Sequence, residues 1–309
     1  MRVPEKDPVR GAHFRAAKIL SASTIKRRIS ATLLIVAGIL FIFPLIVTFT
    51  NSFMSETEIA VNYTTKISIV DLARGITENF VQMRLIPARV TLGQYITALL
   101  YQPSFLVLLM NSIKITVPVV IGNTIVSLLA AYGFTIWKNK YKEAVFFIYV
   151  LVMLMPLQAV IVPNYIIADM LSIKDSYFAI ILPGIFAPFG TFLLRQSMKA
   201  IPISYIEAAE IDGANKFYTF IHVVVPQMKA GIAALAMLVF IEYWNIVEQA
   251  VIFINEYYRE PLSVYLSRIA SGNVSLISAA SCVYMFLPLW FLVLGQKDLE
   301  MGIELSGVK

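Results

Sequence analysis

The chain contains six long apolar runs, four of them free of charged residues, and each is long enough to cross a lipid bilayer as a helix. Crossing the hydrocarbon core takes about 20 helical residues. The runs cover residues 30–50, 105–137, 144–168, 176–194, 230–254 and 277–296. They lack the short apolar–polar alternation of barrel strands. Because a helix satisfies its own backbone in lipid, the pattern predicts an all-α, polytopic membrane protein with six transmembrane helices.

Lysine and arginine are unevenly divided between the two sides of this predicted bundle. Seventeen lie on the side of the termini and seven on the other, while Lys114 lies inside the second run. Cytoplasmic segments are enriched in these residues, so we expect both termini in the cytoplasm and Lys114 near the outer surface. The expected divisions are a basic N-tail at 1–29, a first span at 30–50, an external cap at 51–104, a core at 105–296 and a C-tail at 297–309.

Composition supports a membrane location and excludes several functions. Of the 309 residues, 59% are hydrophobic and 14% charged, whereas soluble domains average about 25% charged. So few charged side chains cannot cover the surface of a soluble protein. We interpret the net charge of +6 as the excess of Lys and Arg that orients a membrane protein, and not as a nucleic-acid-binding surface. Cys282 is the single cysteine, and His13 and His222 are far apart. We therefore expect no metal site, no catalytic residues and no cofactor bound by this chain.

The connection between the fourth and fifth runs, residues 200–226, has helix signals of its own. Ser204 precedes Glu207 by three residues, which matches a capping box and predicts a helix starting near Tyr205. Gly213 tolerates a positive φ and marks the end of that helix. Asn215 is a suitable N-cap for a second helix.

The second helix is expected to run to Pro226, so that the loop forms two short helices joined at a sharp bend. Apolar residues line one side of this pair, which a fully solvated loop would not keep. Two interpretations follow from the residues alone: a hairpin lying on lipid, or a helix pair covered by another protein. The apolar set is Ile203, Ile206, Ala209, Ile211, Phe217, Phe220 and Ile221.

This loop resembles a known family motif. Glu207-Ala208-Ala209, three residues, Gly213, nine residues and Val223-Val224-Val225-Pro226 are similar to the EAA loop of permease subunits of bacterial ATP-binding-cassette (ABC) importers, with Val at both aliphatic positions of its closing I-x-L-P. Smaller pieces resemble the carbohydrate-importer branch, to which the second permease of the maltose importer belongs. They include Asn111-Ser112, Met155-Pro156-Leu157-Gln158, Phe192-Leu193-Leu194-Arg195-Gln196, Trp244-Asn245 and the ending Ser306-Gly307-Val308-Lys309.

The resemblance implies a type I ABC importer transmembrane fold in a bacterial cell membrane, forming half of a path for a sugar or oligosaccharide. Glycerol-phosphate-type solutes stay possible. The implied partners are a second permease in a heterodimer, two copies of a cytoplasmic ATPase that uses ATP and Mg, and an external solute-binding protein on the cap. The chain has no Gly-Lys pair and hence no phosphate-binding P-loop. The implied ATPase-coupling residues are Glu207, Ala208, Ala209, Asp212, Gly213, Phe217 and Pro226.

Polar residues inside the runs are candidates for the solute path. Glu242 and Asn245 lie in the fifth run, and Gln158 and Asn164 in the third. Intramembrane carboxylates by default suggest a polar pathway, but hydrogen bonding within the bundle explains the same residues. Both interpretations stay open. Pro156 likewise predicts either a packing kink or a hinge.

A different class of function, a secondary transporter driven by an ion gradient, also fits a six-span chain. That class predicts inverted repeats with paired broken helices. We find no convincing repeat in the sequence, so the importer permease is favoured.

Overall fold

The computed structural model of the chain describes residues 8–63, 84–268 and 274–306, and these residues contain helices and connections without a β-strand. The chain separates into two compact units, residues 1–91 and 92–309. The parts of the predicted tails and cap at residues 1–7, 64–83 and 307–309 lie outside the described residues, as does the ending Gly307-Val308-Lys309.

The first unit consists of a long helix and a short one. Helix α1 runs Pro8–Ser52 and α2 runs Glu56–Tyr63. Within α1, Arg27–Ser52 is long and apolar enough to cross a membrane, which confirms the first predicted span. On α2, the Glu58 carboxylate accepts a hydrogen bond from the amide of Ala88, which follows later in the chain, at 2.6 Å.

The second unit is built around one long helix, α4. A short helix α3, Gly93–Ile96, and a π turn, Thr97–Tyr101, lead into α4, Pro103–Ile136. Within α4, Ser104–Ile136 is long and apolar enough to cross a membrane, which confirms the second predicted span. Buried Asn123 on α4 donates to the carbonyls of Gly184 at 3.0 Å and Ile185 at 3.2 Å. Such side-chain bonds satisfy the backbone where the neighbouring helix stops, and they hold that break against α4.

The third predicted span is broken rather than continuous. Helix α5 runs Lys142–Met153 and α6 runs Leu157–Met170, and the two meet at 96°. Pro156 lies in the break with an extended backbone, φ −66° and ψ 147°. Because proline has no amide hydrogen and its ring opposes helix continuation, the chain turns there. The predicted span over 144–168 therefore consists of two helices that meet at the proline for which the sequence predicted a kink or a hinge.

The fourth span is confirmed and leads into the connection at 200–226. Helices α7, Phe178–Ile185, and α8, Pro188–Met198, together form one candidate span over Phe178–Met198. Helix α9 follows as Ile203–Ile211, and α10 as Lys216–Thr219. A π turn, Phe220–Val224, and a helical turn, Val225–Gln227, continue α10. We call residues 203–227 the elbow.

The fifth span is shorter than predicted at its far end. Helix α11 runs Lys229–Trp244 and meets Lys216–Gln227, the second arm of the elbow after the first arm α9, at 77°. The prediction continued the span to residue 254, but α11 stops at Trp244 and a separate helix α12, Glu248–Phe253, follows. The Asn245 side chain bonds back to the Ile241 carbonyl at 2.9 Å, competing with the helical backbone at that point.

The last part of the chain returns as a single long helix. A 3₁₀ turn, Tyr257–Arg259, and helix α13, Leu262–Arg268, precede α14, Val274–Ser306. The sixth span is confirmed within it, but α14 continues past residue 296, so the C-tail is helical through Ser306. Counting each bent pair as one span gives six candidate spans among the described residues.

The buried core lies among α4, α7, α8 and α11. Ile115, Ile180, Leu194 and Leu235 are fully buried there. A smaller cluster surrounds Trp244. Large apolar side chains elsewhere on the spans are exposed, as expected for surfaces that face lipid or other subunits.

Candidate coupling loop and solute path

The first arm of the elbow starts earlier than the sequence predicted. Pro202 occupies the N-cap position with φ −60° and ψ 127°, and the cap has no side-chain hydrogen bond. Ser204 therefore lies inside the first turn of α9, where its hydroxyl does not act as an N-cap. The predicted capping box was wrong, because α9 begins at Ile203, two residues before the predicted start near Tyr205, and Pro202 occupies the N-cap position.

The bend of the elbow is formed as predicted, at Gly213. Its φ is +83°, and a Cβ there would meet no atom within 4 Å. The Gly213 amide bonds to the Glu210 carbonyl at 3.1 Å and the Ala214 amide to the Ala209 carbonyl at 2.9 Å. This pair of bonds is a Schellman motif, which ends α9 at a defined angle.

The second arm is also capped as predicted. The Asn215 side-chain oxygen accepts a hydrogen bond from the Tyr218 amide at 2.8 Å. The arm then continues through the π turn and the helical turn that contains Pro226. Two short helices are therefore joined at one fixed bend.

The elbow exposes apolar side chains on its outer surface and buries others against the bundle. Ile211 is 86% exposed and Phe217 is 67% exposed, whereas Ile206 and Phe220 are buried. Large apolar side chains exposed in this way mark a surface that contacts another protein or the membrane. Of the predicted coupling residues, Glu207, Ala208 and Asp212 are exposed too, and Ala209 is partly buried.

Two contacts that the sequence did not predict hold the elbow and the helix that precedes it in place. The Tyr132 hydroxyl on α4 donates to the Lys216 carbonyl at 3.1 Å, and the Tyr132 ring lies 5.0 Å from that of Phe220. At the end of α8, Arg195 is 3% exposed and binds Glu143 of α5 at 2.6 Å. The partners are separated by 84 and 52 residues, so no local sequence pattern identifies them.

The guanidinium of Arg195 lies over two aromatic rings in addition to its ion pair with Glu143. Its central carbon lies 3.8 Å from the Phe146 ring centroid and 5.7 Å from that of Phe134. The cluster joins α4, α5 and α8 at the base of the elbow. A buried cation with one carboxylate and two ring faces around it orients its helices, although it contributes little net stability.

Three of the four candidate path residues meet at one place. A cavity of about 300 Å³ lies where α11 ends, and its lining includes Glu242, Asn245 and Glu248. Gln158 at the start of α6 donates to the Glu248 carboxylate at 3.4 Å. Asn164, further along α6, is partly buried and does not line the cavity. The group is a set of polar hydrogen-bonding atoms at the junction of α6 and α11.

Tyr284 on α14 holds the end of α11 in place, a role that the sequence did not reveal. Its hydroxyl donates to the Trp244 carbonyl and lies 3.3 Å from the Asn245 side-chain oxygen. The Trp244 indole nitrogen donates in turn to the Tyr284 carbonyl at 3.2 Å. Within the described residues, no cluster of three His, Cys, Asp or Glu side chains could hold a metal ion.

Residues 123–296 match the family described as the binding-protein-dependent transport system inner membrane component. The matched segment covers more than half of the chain and includes both the elbow and the 300 Å³ cavity. The chain belongs to this family. It is an inner-membrane transport permease and not an enzyme, and a separate ATPase hydrolyses the ATP. This membership sets aside the ion-gradient-driven alternative.

Curated relatives of the chain include permeases for sugars and for sn-glycerol-3-phosphate. The chain is 33% identical over 135 residues to the lactose transport system permease protein LacG of Rhizobium radiobacter, covering 44% of this chain and 50% of that relative. It is 26% identical over 202 residues to the arabinooligosaccharides permease AraQ of Halalkalibacterium halodurans, covering 64% of this chain and 72% of that relative. It is 28% identical over 204 residues to the sn-glycerol-3-phosphate permease UgpE of Pectobacterium atrosepticum, covering 64% of this chain and 73% of that relative.

A solved structure confirms the fold. The chain aligns with one chain of a bacterial ABC transporter involved in the import of the acidic polysaccharide alginate, with a TM-score of 0.70 and 21% identity. The alignment covers 96% of this chain and 99% of that one. The predicted type I ABC importer transmembrane fold is therefore confirmed.

Proposed function

We propose that this permease forms half of the translocation path for a neutral sugar or oligosaccharide and is driven through the elbow by a separate ATPase. The observation that carries the proposal is the elbow itself, a rigidly bent helix pair with Ile211 and Phe217 exposed on it. An amphipathic helix of this kind fits a groove on a partner protein. Glu207, Ala208, Ala209, Asp212, Gly213, Phe217 and Pro226 are its proposed coupling residues.

The path from the elbow to the cavity supports mechanical coupling. The second arm of the elbow meets α11 at 77°, and α11 runs without a break to Trp244, beside the 300 Å³ cavity. A displacement of the elbow would move the end of α11 as one body. The bundle would then rock between outward-facing and inward-facing states in response to the ATPase.

The charges at the 300 Å³ cavity favour a neutral solute. Glu242, Asn245 and Glu248 line it, and Gln158 bonds to Glu248. Amide and carboxylate oxygens bind sugar hydroxyls, whereas two carboxylates repel a phosphate or another carboxylate. We therefore favour a sugar over glycerol-phosphate-type solutes.

The proposed assembly contains a second, different permease, two copies of an ABC ATPase that uses ATP and Mg, and an external solute-binding protein. Both termini and the elbow would face the cytoplasm, in keeping with the uneven distribution of Lys and Arg. The binding protein would dock on the opposite side, at the cap over residues 51–104.

The test uses the assembled transporter in proteoliposomes. We expect Ile211→Ala with Phe217→Ala to lower both ATP-dependent uptake and the ATPase activity stimulated by the binding protein, by about tenfold or more, because a few buried apolar anchors dominate an interface. Phe178→Ala is the control, since Phe178 is similarly exposed but begins α7 at the far end of the span that leads to the elbow. Equal uptake and ATPase activity in all variants would refute coupling through the elbow.

A further inference from the structure

A larger cavity, of about 890 Å³, lies beside the elbow where the second span ends. Its walls are mainly apolar and come from the last turns of α4 and from α9. Because α4 is a candidate span that ends at Ile136, the cavity lies at the level of the membrane surface. The apolar lining residues are Ala130, Gly133, Phe134, Ile136, Trp137, Ile203 and Ile206.

Charges of both signs line the same cavity. Lys138 lines it from the connection between α4 and α5, Lys142 from the start of α5, and Lys216 from the second arm of the elbow. Glu207 and Glu210 line it from α9. Among the residues that the structure describes, none of these five takes part in an ion pair. The cavity therefore offers separate cationic and anionic groups above an apolar floor.

We propose that this cavity binds phosphatidylethanolamine from the surrounding bilayer. Its phosphate would pair with Lys138 and Lys142, its primary ammonium with Glu210, and the beginning of an acyl chain would lie along Phe134 and Ile206. Lysines in pockets between transmembrane helices bind lipid phosphates, and a carboxylate hydrogen-bonds an ammonium that carries N–H groups. The volume lies within the roughly 300–1,000 Å³ of small-molecule sites.

The two carboxylates distinguish this lipid from the other common headgroups. Phosphatidylglycerol has no cation for Glu207 and Glu210 and would place its negative charge beside them. The ammonium of phosphatidylcholine has no N–H to donate. The inference does not require the elbow to couple to an ATPase, because lipid binding is measured without turnover.

The experiment measures lipids retained by the complete transporter. The complex is reconstituted in nanodiscs with equal parts of the ethanolamine, glycerol and choline lipids, and native mass spectrometry counts the lipids that survive removal of the bulk bilayer. We expect the ethanolamine lipid to dominate, and Lys138→Gln with Lys142→Gln to lower its retention by about tenfold. Lys140→Gln is the matched control, since Lys140 lies in the same connection and does not line the cavity.

A second variant tests the headgroup choice. Glu210→Gln is expected to reduce the preference for the ethanolamine lipid over the glycerol lipid, because it removes a negative charge that pairs with the ammonium and repels the anionic lipid. Three results would overturn the proposal: equal retention of the choline lipid, an equal effect of Lys140→Gln, or retention only after the ATPase is removed. The last would assign the cavity to a protein interface.

Discussion

Single residues set the bend and the base of the elbow. Gly213 could be predicted from the sequence because a positive φ after a short helix has a strong local preference for glycine. The role of Arg195 could not be predicted, because its buried guanidinium is held by Glu143 and Phe146, which lie on a different helix. A residue whose role depends on its sequence neighbours could be predicted, and a residue whose role depends on a distant helix could not.

Two substitutions at Gly213 test whether the elbow needs the bend itself or the glycine residue. Gly213→Pro should reduce uptake and the recovery of the ATPase with the complex, because proline holds φ near −65° and removes the amide that bonds to Glu210. Gly213→Asn is the matched variant, since asparagine tolerates the left-handed region and its Cβ would have no other atom within 4 Å. It should retain most of both activities. Full activity in the proline variant would contradict the role given to the bend.

The pair between Arg195 and Glu143 predicts an asymmetric loss of stability. Glu143→Gln leaves a guanidinium that is only 4% exposed without its carboxylate, so we expect a clear fall in the thermal unfolding midpoint of the detergent-solubilised complex. Glu256→Gln is the control. It removes a similarly exposed carboxylate, but the partner Arg259 is 48% exposed and becomes solvated, so its effect should be close to zero. Equal shifts in the two variants would contradict this account.

At the scale of elements, most spans followed from their apolar runs, but the geometry of the breaks within them did not. Pro156 in the third run predicts a kink or a hinge, but the sequence there does not give the angle. The structure shows a turn of 96° between α5 and α6, and no local sequence pattern gives the size of that angle. The same holds for the end of α11, where Tyr284 from a distant helix binds the Trp244 carbonyl.

Pro156 should control the angle between the two halves of the third span. Pro156→Ala restores an amide hydrogen at the break and permits a straighter helix. We expect spin labels at the exposed positions 147 and 166, on α5 and α6, to move apart or show a broader distance distribution by pulsed electron resonance. Pro163→Ala is the control, because Pro163 lies inside the continuous helix α6. Identical distance distributions in the two variants would show that packing alone determines the turn.

At the scale of the whole molecule, the sequence predicted the class of protein better than it predicted the path. The EAA spacing and the six runs led to an importer permease, which family membership and the fold confirm. The path residues are spread over α6 and α11, so only the folded chain shows that Gln158, Glu242 and Asn245 lie together and that Asn164 does not. A role for them in carrying the solute stays a prediction.

Crosslinking from the elbow tests the central claim most directly. Cys282 is the single cysteine, so Cys282→Ser with Phe217→Cys places one reactive thiol on the exposed elbow. A maleimide carrying a photoreactive group is attached there in the assembled transporter and irradiated. The account predicts a covalent product with the ATPase, and none from Phe178→Cys. The contrary result is no ATPase product from position 217, together with labelling of that position in intact cells by a membrane-impermeant maleimide.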